Sequence, residues 1–307
     1  MTAKELEQYL LQSLNMALGS MMQGETSYTN SFTCKVTEEG FYFLPRLPAG
    51  YIVDDDLYQK IFLIASAALY PKFTLLKQNS AYFVPMDTDD IHTQRALFFP
   101  WQQGISERLV ISDLDRFTSS LTNQQIPIMK QLTLNYQNIT SIAIAGNSGS
   151  GKSYMLTYLL SVLKPISELI IVDPKFDTPS RWARIHDITV IHPHQNRSKS
   201  DFLSEINENL SHCLQVIQQR QTILYDDPDY QFDHLTIVID EVLALAEGVN
   251  KTIKDAFFSL LSQIALLGRA TKVHLLLVSQ RFDHQTIPVS VREQLNVLIQ
   301  IGNINKK

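Results

Sequence analysis

At 307 residues, 45% of them apolar, the chain has the length and the hydrophobic material for two buried cores. Its 26 basic against 31 acidic residues leave a net charge of −5, which excludes the bulk basic footprint of a general nucleic-acid binder, so any such contact has to be local. The two cysteines, Cys34 and Cys213, have no metal spacing; they exclude a disulfide framework and read as buried thiols in a reducing compartment.

The start, Met1 to Glu7, is polar with no apolar stretch behind it, so no signal peptide is expected. The longest apolar run, Ile61 to Leu69, is about half of what a bilayer span needs, and the expected location is cytoplasmic. Leu6, Leu10, Leu14, Ala17 and Met21 recur at helical spacing and predict an amphipathic helix over 4–22. Residues 31–36 alternate with period two, turn at Thr37 to Gly40 and resume over 41–44, the pattern of a hairpin. Asp54-Asp55-Asp56 precedes an apolar stripe and reads as the cap of a helix ending near Tyr70; consecutive acids on a helix point apart, which disfavours a metal site. Short apolar runs at 73–76, 81–84, 96–99 and 109–111 predict further strands.

The stretch 113–127 is polar and reads as a linker, placing a boundary between an α+β region of unknown role, residues 1–125, and a second region, 126–307. From there apolar strands alternate with longer helical periods, the signature of a mostly parallel α/β sheet. Strands are expected at 139–145, 169–172, 188–191, 235–239, 273–278 and 297–301, with helices over 152–163, 201–225 and 252–267.

Chemistry concentrates in this second region. Gly146-Asn147-Ser148-Gly149-Ser150-Gly151-Lys152-Ser153 lies between an expected strand and an expected helix, and its spacing is that of a P-loop. Such glycines let backbone N–H groups curl round a di- or triphosphate at the positive end of the helix, with Lys152 reaching the β and γ phosphates and Ser153 ligating Mg²⁺. A plain glycine turn is the competing reading, and the flanking elements disfavour it. Asp240-Glu241 ends a strand, where ATP hydrolysis needs one carboxylate for the Mg²⁺ shell, Asp240, and one general base, Glu241. Gln280 ends another strand and could sense the γ-phosphate; a solvated strand-end amide is the alternative. Arg269, between a helix and a strand, fits either a surface salt bridge or a finger serving a neighbouring subunit's ATP.

Asp173-Pro174-Lys175, Ile237-Val238-Ile239-Asp240-Glu241, Leu267-Gly268-Arg269-Ala270 and His274-Leu275 leading to Ser279-Gln280-Arg281, in this order, resemble the FtsK/SpoIIIE branch of the FtsK/HerA DNA-pumping ATPases over about residues 130–301. The resemblance implies a RecA-like core in a hexameric ring, ATP between subunits and double-stranded DNA in the channel. By that match Lys152 and Ser153 bind phosphate and Mg²⁺, Asp240 and Glu241 are the Walker B pair, Gln280 is the sensor and Arg269 the trans-acting finger. Asp173 and Lys175 become structural or coupling residues. Phe282 replaces the family's usual proline, and Thr271-Lys272-Val273 its usual small residues. The family's membrane-spanning N-terminus is missing, so tethering would need a membrane-anchored partner protein; the chain also stops where family members usually continue. Lys251, Lys254, Arg197 and Lys199 are the basic residues available for DNA, with ordinary solvated charges as the competing reading. The implied function is DNA translocation in conjugative transfer, plasmid or mobile-element maintenance, or chromosome handling. A protein-secretion ATPase of the same superfamily and a nucleotide-controlled replication or assembly scaffold are the rivals.

Overall fold

Leu6, Leu10, Leu14 and Leu18 recur every fourth residue along α1 (Ala3–Met21) of the computed structural model, and all four are buried. The structure describes residues 2–21, 31–78, 81–105, 107–122, 124–282 and 287–302. They divide into two units, 1–108 with 129–131, and 109–128 with 132–307.

In the first unit, β1 (Phe32–Val36) and β2 (Gly40–Pro45) form the expected hairpin. The cap of α2 (Asp55–Leu69) is Asp54, whose carboxylate accepts the Leu57 N–H at 2.9 Å. β3 (Phe73–Leu75), β4 (Phe83–Pro85) and β5 (Arg95–Gln103) complete an antiparallel sheet in the order β1-β2-β5-β3, with β4 also on β5. Phe32, Phe41, Phe43 and Phe99 on the sheet meet the leucines of α1 and Tyr58 and Ile61 of α2 in one core. The strand expected at 109–111 does not form: Val110 is 89% exposed, and three apolar residues without a ladder partner gain nothing by extending.

The second unit opens with α3 (Leu114–Ser119), which lies inside the polar stretch 113–127; Asp113 caps it through the Arg116 N–H at 3.0 Å. The same residue types that read as a linker are those that cap and start a short helix. β6 (Gln125–Met129) and β7 (Leu132–Asn135) pair with each other. Then follow β8 (Ser141–Ala145), α4 (Lys152–Leu163), β9 (Ser167–Val172), α5 (Thr178–Ile185), β10 (Val190–Ile191), α6 (Lys199–Asp226), β11 (His234–Ile239), α7 (Val242–Ala246), α8 (Lys251–Leu267), β12 (Val273–Ser279), α9 (Val289–Arg292) and β13 (Val297–Gln300). The six long-range strands form one parallel sheet, ordered β10-β9-β11-β12-β8-β13.

Helices cover both faces of that sheet, which is why its inner strands are apolar over most of their length. Ile237, Ile239, Leu275 and Leu277 pack with Ile206, Leu210 and Ile217 of α6 and Phe257, Leu261 and Ile264 of α8. Val238, Leu276 and Val278, alternating with them, pack with Leu156, Leu159, Leu160 and Leu163 of α4 on the opposite face.

At the N-terminal ends of β11 and β12 the core turns polar. His234 Nδ1 lies 2.7 Å from His274 Nε2, and the Tyr136 ring packs on both imidazoles at 4.9 and 4.7 Å. Burial, then the neighbouring His234, pushes His274 down to about 4.

Candidate functional site

Because the strands are parallel, their C-terminal ends share one edge of the sheet. Ala145 of β8 is in register with Ser279 of β12, and Ile239 of β11 with both Val172 of β9 and Leu277 of β12. The loops after β8, β9 and β11 therefore open at the same edge, the position where parallel sheets place ligands. They enclose a cleft of about 230 Å³ lined by residues 148, 149 and 151–154, by Lys175, Asp177, Thr178 and Pro179, and by Asp240 and Glu241.

The glycine loop is bent as the spacing requires. Gly149 and Gly151 sit at φ of +78° and +102°, backbone that side-chain-bearing residues rarely adopt, and Gly151 is the N-terminal cap of α4. With no side-chain cap there, the free N–H groups of the first helical turn face the cleft as a cradle for an anion. Lys152 is buried, and its ammonium donates to the carbonyls of Gly146 at 2.7 Å and Asn147 at 3.1 Å. Ser153, one residue on, is exposed.

Opposite stand the acids. Burial first, then the charges of Asp173 and Glu241, push the Asp240 carboxyl up to about 6, with Lys175 opposing them. A carboxylate in that position gains from a cation. Among the described residues no group of three or more His, Cys, Asp or Glu is arranged to hold a metal by itself. Ser153 and Asp240 offer two oxygens across the cleft, which suits Mg²⁺, an ion that keeps several waters and takes its remaining ligands from phosphate. Glu241 is buried at φ +47°, and its Oε1 accepts from Lys175 Nζ at 2.7 Å.

Asp173 is fully buried and accepts from the N–H of Lys175, Asp177 and Ser180 and from the Ser180 hydroxyl. It shapes the loop after β9 and has no face on the cleft. Gln280 follows Ser279, so register sets it beside the start of the glycine loop, exposed and outside the cleft lining. Arg269 precedes β12 and so lies at the opposite edge of the sheet, exposed. Of the basic residues considered for DNA, Arg197 pairs with Glu205 at 2.8 Å and Lys254 lies over the Phe258 ring; Lys199 and Lys251 are exposed at the starts of α6 and α8.

Sequence reasoning passed over Tyr154, Asp177, Thr178 and Pro179. The signal for the last two was legible: proline one residue after threonine is the opening of a helix, here α5, whose start forms one wall of the cleft.

No protein-family model matches the chain. Over 187 residues, 59% of this chain, it is 22% identical to the FtsK domain-containing protein YdcQ of Bacillus subtilis (strain 168), and it spans 38% of that relative's length. Among solved structures, the pCW3 conjugation coupling protein TcpA, in monomer form with ATPγS, superposes with a TM-score of 0.52 at 15% identity, covering 95% of this chain and 82% of that one. The cytoplasmic domain of the type VII secretion ATPase EccC of Thermomonospora curvata gives 0.43 at 16% identity, over 55% of this chain and 21% of that one. The similarity to FtsK-type ATPases is present at the level of sequence and of fold. The fold is α/β, a RecA-like P-loop core with a parallel sheet, preceded by a smaller α+β unit.

Proposed function

We propose that the chain is an ATP-driven motor that binds and translocates double-stranded DNA. The observation that supports it is a single cleft in which a glycine-bent helix N-terminus with a buried lysine faces two consecutive strand-end acids. A bare anion site needs the first half; hydrolysis needs both. The motor is placed within residues 126–307, behind an α+β region, 1–125, of unknown role.

Bound ATP supplies the phosphoanhydride to be cleaved, and Mg²⁺ neutralises charge on its phosphates. The backbone N–H groups from Gly149 to Ser153, together with those of Gly146, Asn147 and Ser148, hold the phosphates. The Lys152 ammonium exchanges the Gly146 and Asn147 carbonyls for phosphate oxygens. The Ser153 hydroxyl and the Asp240 carboxylate hold the metal, and Glu241 accepts a proton from the attacking water. Gln280, next to the glycine loop in register, senses the terminal phosphate. Arg269, at the far edge of the sheet, is remote from its own chain's cleft and acts on the ATP of an adjacent subunit in a ring, proposed as a hexamer. A ring multiplies a few phosphate contacts per subunit, so an acidic chain can hold duplex.

The similarity in fold to a conjugation coupling protein favours conjugative transfer among the possible settings. In this proposal the motor is cytoplasmic and a membrane-anchored partner protein tethers it. No helix among the described residues is long and apolar enough to cross a membrane.

The test is the ATPase rate of the full chain with and without linear duplex DNA, beside Glu241→Gln. A Glu241-dependent rate that duplex raises several-fold is expected. A Glu241-dependent rate indifferent to DNA favours a protein-export ATPase instead, and tight nucleotide binding without turnover favours an assembly scaffold.

A further inference from the structure

Among the ion pairs of the described residues, Lys175–Glu241 joins a half-exposed cation, 53% accessible, to a carboxylate that is 8% accessible, across 2.7 Å. Both backbones are fixed. The Lys175 N–H donates to Asp173 Oδ1 at 3.0 Å, and Asp173 is itself held by three donors from residues 177 and 180. The Asp240 N–H donates to the Val172 carbonyl at 3.0 Å and the Glu241 N–H to Asp240 Oδ1 at 3.0 Å. The movable part is the long Lys175 side chain, whose head lines the cleft.

An Oε1 that accepts a hydrogen bond from an ammonium has committed a lone pair and is a poorer acceptor for the proton of water. From this geometry we propose that Lys175 is a positioning residue that withholds Glu241 from the attacking water, a latch that holds down the DNA-free rate of hydrolysis. The inference rests on Glu241 being the general base. Lys175 forms no part of the hydrolytic step; it decides when the base is available. Because the loop that carries Lys175 continues into exposed Phe176, whose ring packs on His192 at 4.0 Å, the latch is also accessible from the surface.

The experiment compares the full wild-type chain with Lys175→Met, Lys175→Gln and Lys175→Arg. It measures DNA-free ATP hydrolysis, affinity for a fluorescent ATP analogue and the melting temperature. Glu241→Gln, alone and combined with Lys175→Met, and Lys152→Ala are the controls. Expected is a kcat raised about tenfold in Lys175→Met and Lys175→Gln, equivalent to ~1.4 kcal/mol of barrier. Nucleotide affinity is unchanged, Lys175→Arg runs at or below the wild-type rate, and Glu241→Gln abolishes the gain. An unchanged or lowered kcat at full nucleotide binding in a folded Met or Gln variant overturns the latch. Weakened nucleotide affinity overturns it too, by assigning Lys175 to phosphate binding. Wild-type hydrolysis insensitive to Glu241→Gln, with binding still lost in Lys152→Ala, refutes the general-base reading and the latch with it.

Discussion

Glu241 and Lys152 make opposite demands on the cleft, and their variants separate binding from chemistry. Glu241→Gln keeps the shape and an acceptor for Lys175 but removes the proposed base: hydrolysis should fall at least ~100-fold, with ATP affinity within about threefold of wild type. Lys152→Ala should lose the affinity itself, read by equilibrium binding. Gly146→Ala tests the loop's packing, since a Cβ there would stand 2.7 Å from the Ile301 carbonyl and 2.5 Å from Ser150 Oγ. Such overpacking costs about 1–3 kcal/mol, and a melting temperature equal to wild type would count against this placement of the strand β13 end. At this scale the consecutive residues of the glycine loop and the Asp240-Glu241 pair were readable from sequence. The Lys175–Glu241 contact was not, because it spans 66 positions and exists only once β9 and β11 lie side by side.

The sheet carries an acid-sensitive point at its other edge. His274 is held at about 4 against an ordinary 6.5, so the unfolded chain binds more protons between those values. The stability from keeping His274 neutral is complete above about pH 6.5 and is lost as pH falls toward about 4, at most about 3 kcal/mol. Urea midpoints of the second unit should drop from pH 7.5 to pH 5, and His274→Gln should flatten that drop; an equal drop in the variant would exclude His274 as its source. Elements with long apolar periods, α1, α2, α4, α6 and α8, stood out in the sequence because their buried stripes repeat over several turns. Short α5, α7 and α9 did not, having too few turns for a period to emerge. Residues 109–111 failed in the opposite sense: apolar composition without a pairing partner is not a strand.

For the whole molecule, the change from antiparallel hairpin patterning to alternating strands and helices marks a change along the chain from an antiparallel to a parallel sheet, and the chain divides into two units. Their division after Arg108 depends on packing of α3 that polar composition does not display. A ring of second units working on duplex predicts binding that weakens steeply with salt, as phosphate contacts release counterions. Log affinity against log salt concentration should be linear with a clearly negative slope, and a flat line would remove DNA as the partner. The most direct test of the motor itself is displacement of a triplex-forming third strand from linear duplex, with ATP present. The wild-type chain should strip the third strand and Glu241→Gln should leave it in place; Glu241-dependent hydrolysis on that duplex with no displacement would contradict translocation.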